Sequence, residues 1–135
     1  MFYLWINSLV NEMVAELESE LEKKFIRDER MMEGATRHSE AMVRQGYHHA
    51  PKNLIWPAEE ELVRMRFANY RNWPPYQEGE VEKAIREMVS ECIFLRGRHY
   101  HFLVFYPVIG VGVALKKDDL PKKVAVYTTI RLRAH

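Results

Sequence analysis

The first clear pattern in the chain runs from Ile6 to Leu21, where apolar residues recur at Ile6, Leu9, Val10, Met13, Val14, Leu17 and Leu21. Steps of three and four put these positions on one stripe and predict an amphipathic helix. A second stripe, Met31, Ala35, His38 and Met42, follows Asp28, a residue type that caps helix N-termini, and stops at Gly46, a residue type that ends them. Unlike the first, it contains a histidine. The polar, proline-bearing segment from Tyr47 to Pro57 reads as a loop, after which Val63, Phe67 and Tyr70 resume helical spacing and predict a third helix over Ala58 to Tyr70. Asn72 to Gly79, with Trp73, Pro74 and Pro75, reads as another loop. Val81, Ala84, Ile85, Met88, Cys92 and Leu95 then define a fourth helix.

The remainder reads as strand. Tyr100 to Tyr106 is apolar on both alternating faces, the pattern of a central strand covered from both sides, and Ile109 to Leu115 and Lys123 to Leu132 are β-rich. Asp118, Asp119 and Pro121 supply a turn that makes the last two an antiparallel hairpin. On its first strand, Gly110, Gly112 and Ala114 leave one face almost without bulk, so a neighbouring layer can approach closely. Helices come first and strands last, an order that argues for α+β layering rather than repeated parallel βαβ units. With 135 residues, 47% of them hydrophobic, the expectation is a single domain over residues 1–135 with a proper core.

Composition removes several classes of function. Twenty basic against nineteen acidic side chains leave a net charge of +1, so no global field would hold nucleic acid. Any partner must be recognised locally. The lone Cys92 excludes an intramolecular disulfide and the closed multi-cysteine zinc sites, and its apolar neighbours predict a small buried hydrophobe. The N-terminal Met-Phe-Tyr-Leu-Trp-Ile lacks the basic leader and cleavage site of a signal peptide. No apolar run reaches the roughly 20 residues that span a bilayer, so no transmembrane segment is expected.

The candidate chemistry begins with His38, which shares a helix side with Met31 and Ala35 and therefore faces the core or a cavity. A hydrogen-bonded core histidine is the plainer account; an imidazole partnered by a metal or a carboxylate is the other. Glu91, three residues after Met88 and seven after Ala84, lies on the apolar side of its helix by the same logic. Glu60 precedes Val63 by three and Phe67 by seven, although Glu59 and Glu61 make a solvated acidic first turn an equal explanation. His99 and His101 lie where helix gives way to strand; alternation groups His101 with Leu103 and Phe105, leaving His99 freer to turn inward. His48 and His49, adjacent in a loop, read mainly as exposed.

Two histidines and two carboxylates, drawn from His38, Glu60, Glu91 and either His99 or His101, form a plausible ligand set for zinc or a similar divalent ion. No H-E-x-x-H, P-loop, G-x-G-x-x-G or G-x-S-x-G pattern occurs, so no catalytic residue is assigned. The basic pairs Lys116-Lys117 and Lys122-Lys123, with Arg131 and Arg133 on one strand face, fit a solvated hairpin better than an anionic docking surface. Trp56, Tyr70, Trp73 and Tyr76 either line a groove or fasten long loops to the core.

In order, Asp28, Met31, Ala35, His38, Ser39 and Met42 follow the pattern D-x-x-L-x-x-x-A-x-x-H-S-x-x-M, which resembles the second-helix signature of the CAP superfamily (cysteine-rich secretory proteins, antigen five and pathogenesis-related proteins). Gly46-Tyr47-His48-His49 is similar to the G-Y-F-S-H segment of prokaryotic members, one residue shorter. Ile109 to Ala114 and Val126 to Thr129 resemble the family's I-G-V-G-V-A and V-Y-V-T-Q strands. The resemblance implies a three-layer α/β/α sandwich with about four helices and a small, mainly antiparallel sheet. It also implies a His-Glu-Glu-His cavity, with His38 first, Glu60 in Glu60-Glu61-Leu62 for G-E-N-I, Glu91 in Ser90-Glu91 for the S-E step, and His99 last. The glycine and asparagine of G-E-N-I are absent, Met88 takes a tryptophan position, and Arg96-Gly97-Arg98-His99 replaces S-P-G-H, leaving His101 as a competitor to His99. Family members are mostly secreted, in contrast to the absence of a leader here. The implied function is a binding or structural module whose cavity holds a divalent metal and whose groove contacts a peptide, lipid or protein partner. The alternatives are a metal-dependent hydrolase using the same cavity and an oligomeric structural protein.

Overall fold

The predicted first stripe forms α1 (Phe2–Leu21), which buries Leu9, Val10, Met13, Val14 and Leu17. It ends at Glu22 in the left-handed conformation, where the Lys23 N–H donates back to the Glu18 carbonyl and closes the last turn. A short β1 (Ile26–Arg27) leads into α2 (Glu29–Gln45), whose cap is Asp28: its Oδ1 accepts the Met31 N–H at 3.0 Å. The elements that follow are a 3-10 turn (Lys52–Leu54), β2 (Glu59–Asn69), α3 (Glu80–Phe94), α4 (Tyr100–Phe105), β3 (Val108–Asp119) and β4 (Lys122–Arg133). This computed structural model describes every residue other than Trp56, Arg96, Arg98 and Leu120, and every side chain but theirs and that of Asp119.

The sheet runs β1-β3-β4-β2, antiparallel except where β1 pairs with β3. On one side, Ile109, Val111 and Val113 of β3 and Val124, Val126, Ile130 and Leu132 of β4 join the buried faces of α1 and α3 in the main core. On the other lies α2, with Met42 packed against Val63, Ala125 and Tyr127. The result is an α+β fold whose small, mainly antiparallel sheet has helices on both faces.

The bare strand face has the role its composition implied. A Cβ on Gly110 would stand 2.3 Å from the Met31 carbonyl carbon, and one on Gly112 would stand 2.2 Å from the Thr36 nitrogen. Neither glycine has a positive φ, so close approach of α2 is the reason for both. Ser39 bolts the layers together: its hydroxyl donates to the Gly112 carbonyl at 2.9 Å and lies 2.8 Å from the Thr129 hydroxyl.

Two expected elements are corrected. The predicted third helix is strand β2, whose residues pair continuously from Glu59 opposite Arg133 to Asn69 opposite Lys123. Val63 and Phe67, four residues apart, share a face in a helix and also in a strand, so their spacing could not separate the two. The predicted central strand over Tyr100 to Tyr106 is instead α4, in which only Leu103 is buried. β1 occupies the place beside β3, and α4 packs outside the sheet, tied down by Lys23. That ammonium donates to the carbonyls of Leu103, Val104 and Tyr106 at 2.9, 2.9 and 3.0 Å, and burial lowers its pKa.

Candidate functional site

His38 faces inward as its helical phase requires and is 6% exposed. Its Nε2 lies 2.7 Å from the His48 carbonyl oxygen. A carbonyl can only accept, so this nitrogen carries the proton. The His48 ring meets the His38 ring edge-on at 4.8 Å, and thus the loop after α2 folds back over the histidine.

The carboxylate beside His38 is Glu61. Strand alternation turns Glu61, Val63 and Met65 toward α2 and Glu60 away from it. Glu61 Oε1 accepts the Ala50 N–H at 2.8 Å and lies 3.9 Å from His38 Nε2 and 3.5 Å from His49 Nδ1. Its Oε2 accepts from Nε and Nη2 of Arg131 at 3.2 and 3.1 Å. Arg131 stands directly opposite Glu61 in the β2–β4 register and is 4% exposed. Room for its guanidinium under α2 comes from Gly34, where a Cβ would lie 2.5 Å from Arg131 Nη1. The buried carboxylate therefore has a fork-shaped cation on one oxygen and a backbone donor on the other.

The four expected ligands do not meet in one place. Glu60 and His99 line a cavity of about 490 Å³ together with His49, Lys52, Glu59 and Glu61, and the His99 ring is 6.4 Å from that of His49. Glu91 sits on the opposite side of the sheet, held with Glu87 by Arg66, so its call for a partner is met there. His101, the competitor to His99, is exposed, with its ring 3.9 Å from that of Phe102. Among the described residues no three His, Cys, Asp or Glu side chains converge closely enough to hold a metal ion. His38 Nε2 is spent on a carbonyl and both oxygens of Glu61 are already engaged. Neither His38 Nε2 nor Glu61 is therefore open to a divalent ion without giving up these partners.

Sequence reasoning missed Glu61 and Arg131. Once Glu59 to Asn69 is a strand, its alternation identifies Glu61 as inward; Arg131 shares a face with Thr129 and Tyr127 and could have been found as its counterpart. Cys92 is 3% exposed, and burial pushes its thiol pKa up, away from reactivity.

Two further carboxylates lie at the end of the sheet near the start of α2. Burial raises the pKa of Glu59, against the pull of Arg131 and Arg133, and its Oε1 is buried with no hydrogen bond from any described residue. Asp28 is shifted the other way, first by the Met31 N–H and then by Arg133, whose Nη2 is 3.2 Å from Oδ2. A lowered folded-state pKa means that the stabilisation is complete above the ordinary carboxylate value and is lost as pH falls through the depressed one. Asp28→Ala is accordingly expected to cost about 1 kcal/mol at neutral pH, as other lost helix caps do. The difference from wild type, measured by thermal melts across acidic pH, should shrink below the ordinary carboxylate pKa of about 3.9.

Among the described residues no helix is long and apolar enough to cross a membrane. No protein-family model matches the chain, and no curated protein matches it.

Proposed function

We propose that the chain is a CAP-like binding module that takes a peptide segment in the cavity bordered by His49, Glu60 and His99. The observation that carries this reading is the His38–Glu61–Arg131 cluster, which pins residues 48–50 to the sheet and so makes a fixed wall for that cavity. The α/β/α layering is what the resemblance expects. Histidines, carboxylates and Lys52 on the rim offer both donors and acceptors to a peptide backbone. In this reading Arg131 supplies the positive charge that the resemblance assigns to a divalent ion, and the cluster has a positioning role.

A peptide array probed with wild type and with His49→Ala tests the idea. His49 is mostly exposed, so the variant should fold normally. The expected result is a subset of peptides retained by wild type and lost by the variant; failure of wild type to retain any peptide overturns the reading. Zinc titrated calorimetrically into wild type should give no tight site. One-to-one binding that His38→Ala abolishes would overturn the role given to Arg131.

A further inference from the structure

Strand β2 ends the sheet, so one of its two backbone edges has no neighbouring strand. The Tyr70 N–H donates to the Lys122 carbonyl beside β4, which turns the even-numbered positions of β2 toward β4 and the odd-numbered ones away from it. Side chains close the outer edge at both ends. At one, the Val63 carbonyl accepts the Tyr47 hydroxyl and an Arg64 guanidinium N–H, each at 2.8 Å. At the other, Glu78 accepts the Arg71 and Asn72 N–H groups at 2.6 and 3.0 Å. Between these closures the backbone N–H and C=O groups of Met65, Phe67 and Asn69 have no hydrogen-bond partner among the described residues. Nothing blunts this stretch: it holds no proline, its pairing with β4 runs without a bulge, and Arg66 is neutralised by Glu87 and Glu91. Phe67 shares the strand face of Val63 and Met65 but, unlike them, joins no core cluster and is 54% exposed.

The open stretch is symmetric about Phe67, as an edge that is to match itself must be. Antiparallel pairing of two β2 edges about a two-fold axis at Phe67 sets Met65 opposite Asn69 of the second copy, Phe67 opposite its own counterpart, and Asn69 opposite Met65. Each pair exchanges N–H and C=O groups, so every open group of the stretch finds a partner. Arg66 then faces Ala68, Arg64 faces Tyr70, and no like charges stand opposite one another. The registers displaced by two residues are poorer. One sets Arg66 against Arg66 and Asn69 against the occupied Val63 carbonyl; the other sets Met65 against the occupied Arg71 N–H. We infer that this chain pairs with a second copy of itself through the β2 edge, in the register centred on Phe67, giving one sheet that runs β1-β3-β4-β2 and on into β2-β4-β3-β1 of the second copy. Main-chain hydrogen bonds supply the attraction, and the two Phe67 rings, brought side by side, lose exposure to water. The inference goes beyond the peptide-module reading and does not depend on it, because the cavity of that reading borders the other half of β2, at Glu59 to Glu61.

Sedimentation velocity on the full chain over a concentration series, with amide hydrogen exchange read at low and high concentration, is the test. Wild type should pass from monomer to dimer, and the Met65, Phe67 and Asn69 amides should gain protection as it does. Phe67→Lys and Phe67→Glu should each weaken self-association by about tenfold or more, because like charges then face one another across the axis. An equal mixture of the two variants should restore the dimer, as expected where position 67 meets its own counterpart. The Phe67 side chain is more than half exposed, so both variants should keep the wild-type circular dichroism; should either fail to fold, the concentration-dependent protection in wild type decides alone. A wild type that stays monomeric, a dimer that forms without protecting these amides, a dimer that both variants leave intact, or a mixture no more dimeric than its components overturns the inference. Protection conferred on a monomeric chain by an added extended peptide would overturn it too, assigning the edge to a different partner.

Discussion

Gly112→Val is expected to destabilise the protein by about 3 kcal/mol or more, at or above the upper end of ordinary overpacking. The atoms its side chain would meet are backbone atoms of Ala35 and Thr36, which cannot rotate away as a side-chain end could. To make room, α2 must lift from β3, and that movement pulls the Ser39 hydroxyl from the Gly112 carbonyl and the Thr129 hydroxyl. Urea denaturation provides the measurement. Gly97→Ala is the control, because a Cβ there meets nothing within 4 Å among the described residues; it should change stability by less than about 0.5 kcal/mol. Equal midpoints for the two variants would mean that the close approach of α2 and β3 does not constrain the fold.

Arg131→Met is expected to cost about 3–5 kcal/mol, the usual consequence of removing one partner of a buried ion pair. The variant leaves Glu61, whose side chain is 3% exposed, without its cation. The cost belongs to the stranded charge more than to the lost attraction, which sets a second expectation: adding Glu61→Leu to Arg131→Met should recover much of the stability. It should not restore the loop, because Ala50 loses the carboxylate that accepts its N–H. Hydrogen exchange at Ala50 would therefore be faster in the double variant than in wild type, even where the melting temperatures approach one another. A single-variant cost below about 1 kcal/mol would show that the pair is solvated and the cluster loose.

Both variants probe features that were unequally visible beforehand. The apolar stripes of α1, α2 and α3, the Asp28 cap, the inward phase of His38 and the β3–β4 hairpin follow from local spacing, because each leaves a period or a capping residue in the chain. The small face of Gly110 and Gly112 was legible for the same reason. The segment Glu59–Asn69 was not, since Val63 and Phe67 satisfy both helical and strand periods. That ambiguity carried into the site. A helix there makes Glu60 the carboxylate to consider, whereas the strand's alternation delivers Glu61 to His38 and leaves Glu60 on the rim of the neighbouring cavity.

Local sequence thus determined that His38 faces inward, that one face of β3 is stripped of side chains so that a neighbouring layer can approach, and that the fold is of mixed α+β class. Only the tertiary structure decided what His38 is buried with. Its neighbours Glu61 and Arg131 come from β2 and β4, 23 and 93 positions further along the chain, and their meeting depends on sheet register and on the space left by Gly34. No local period encodes a partner across a sheet. The same reason separates Glu91, which has a plausible helical phase, from His38 and Glu61, which lie on the far side of the strands.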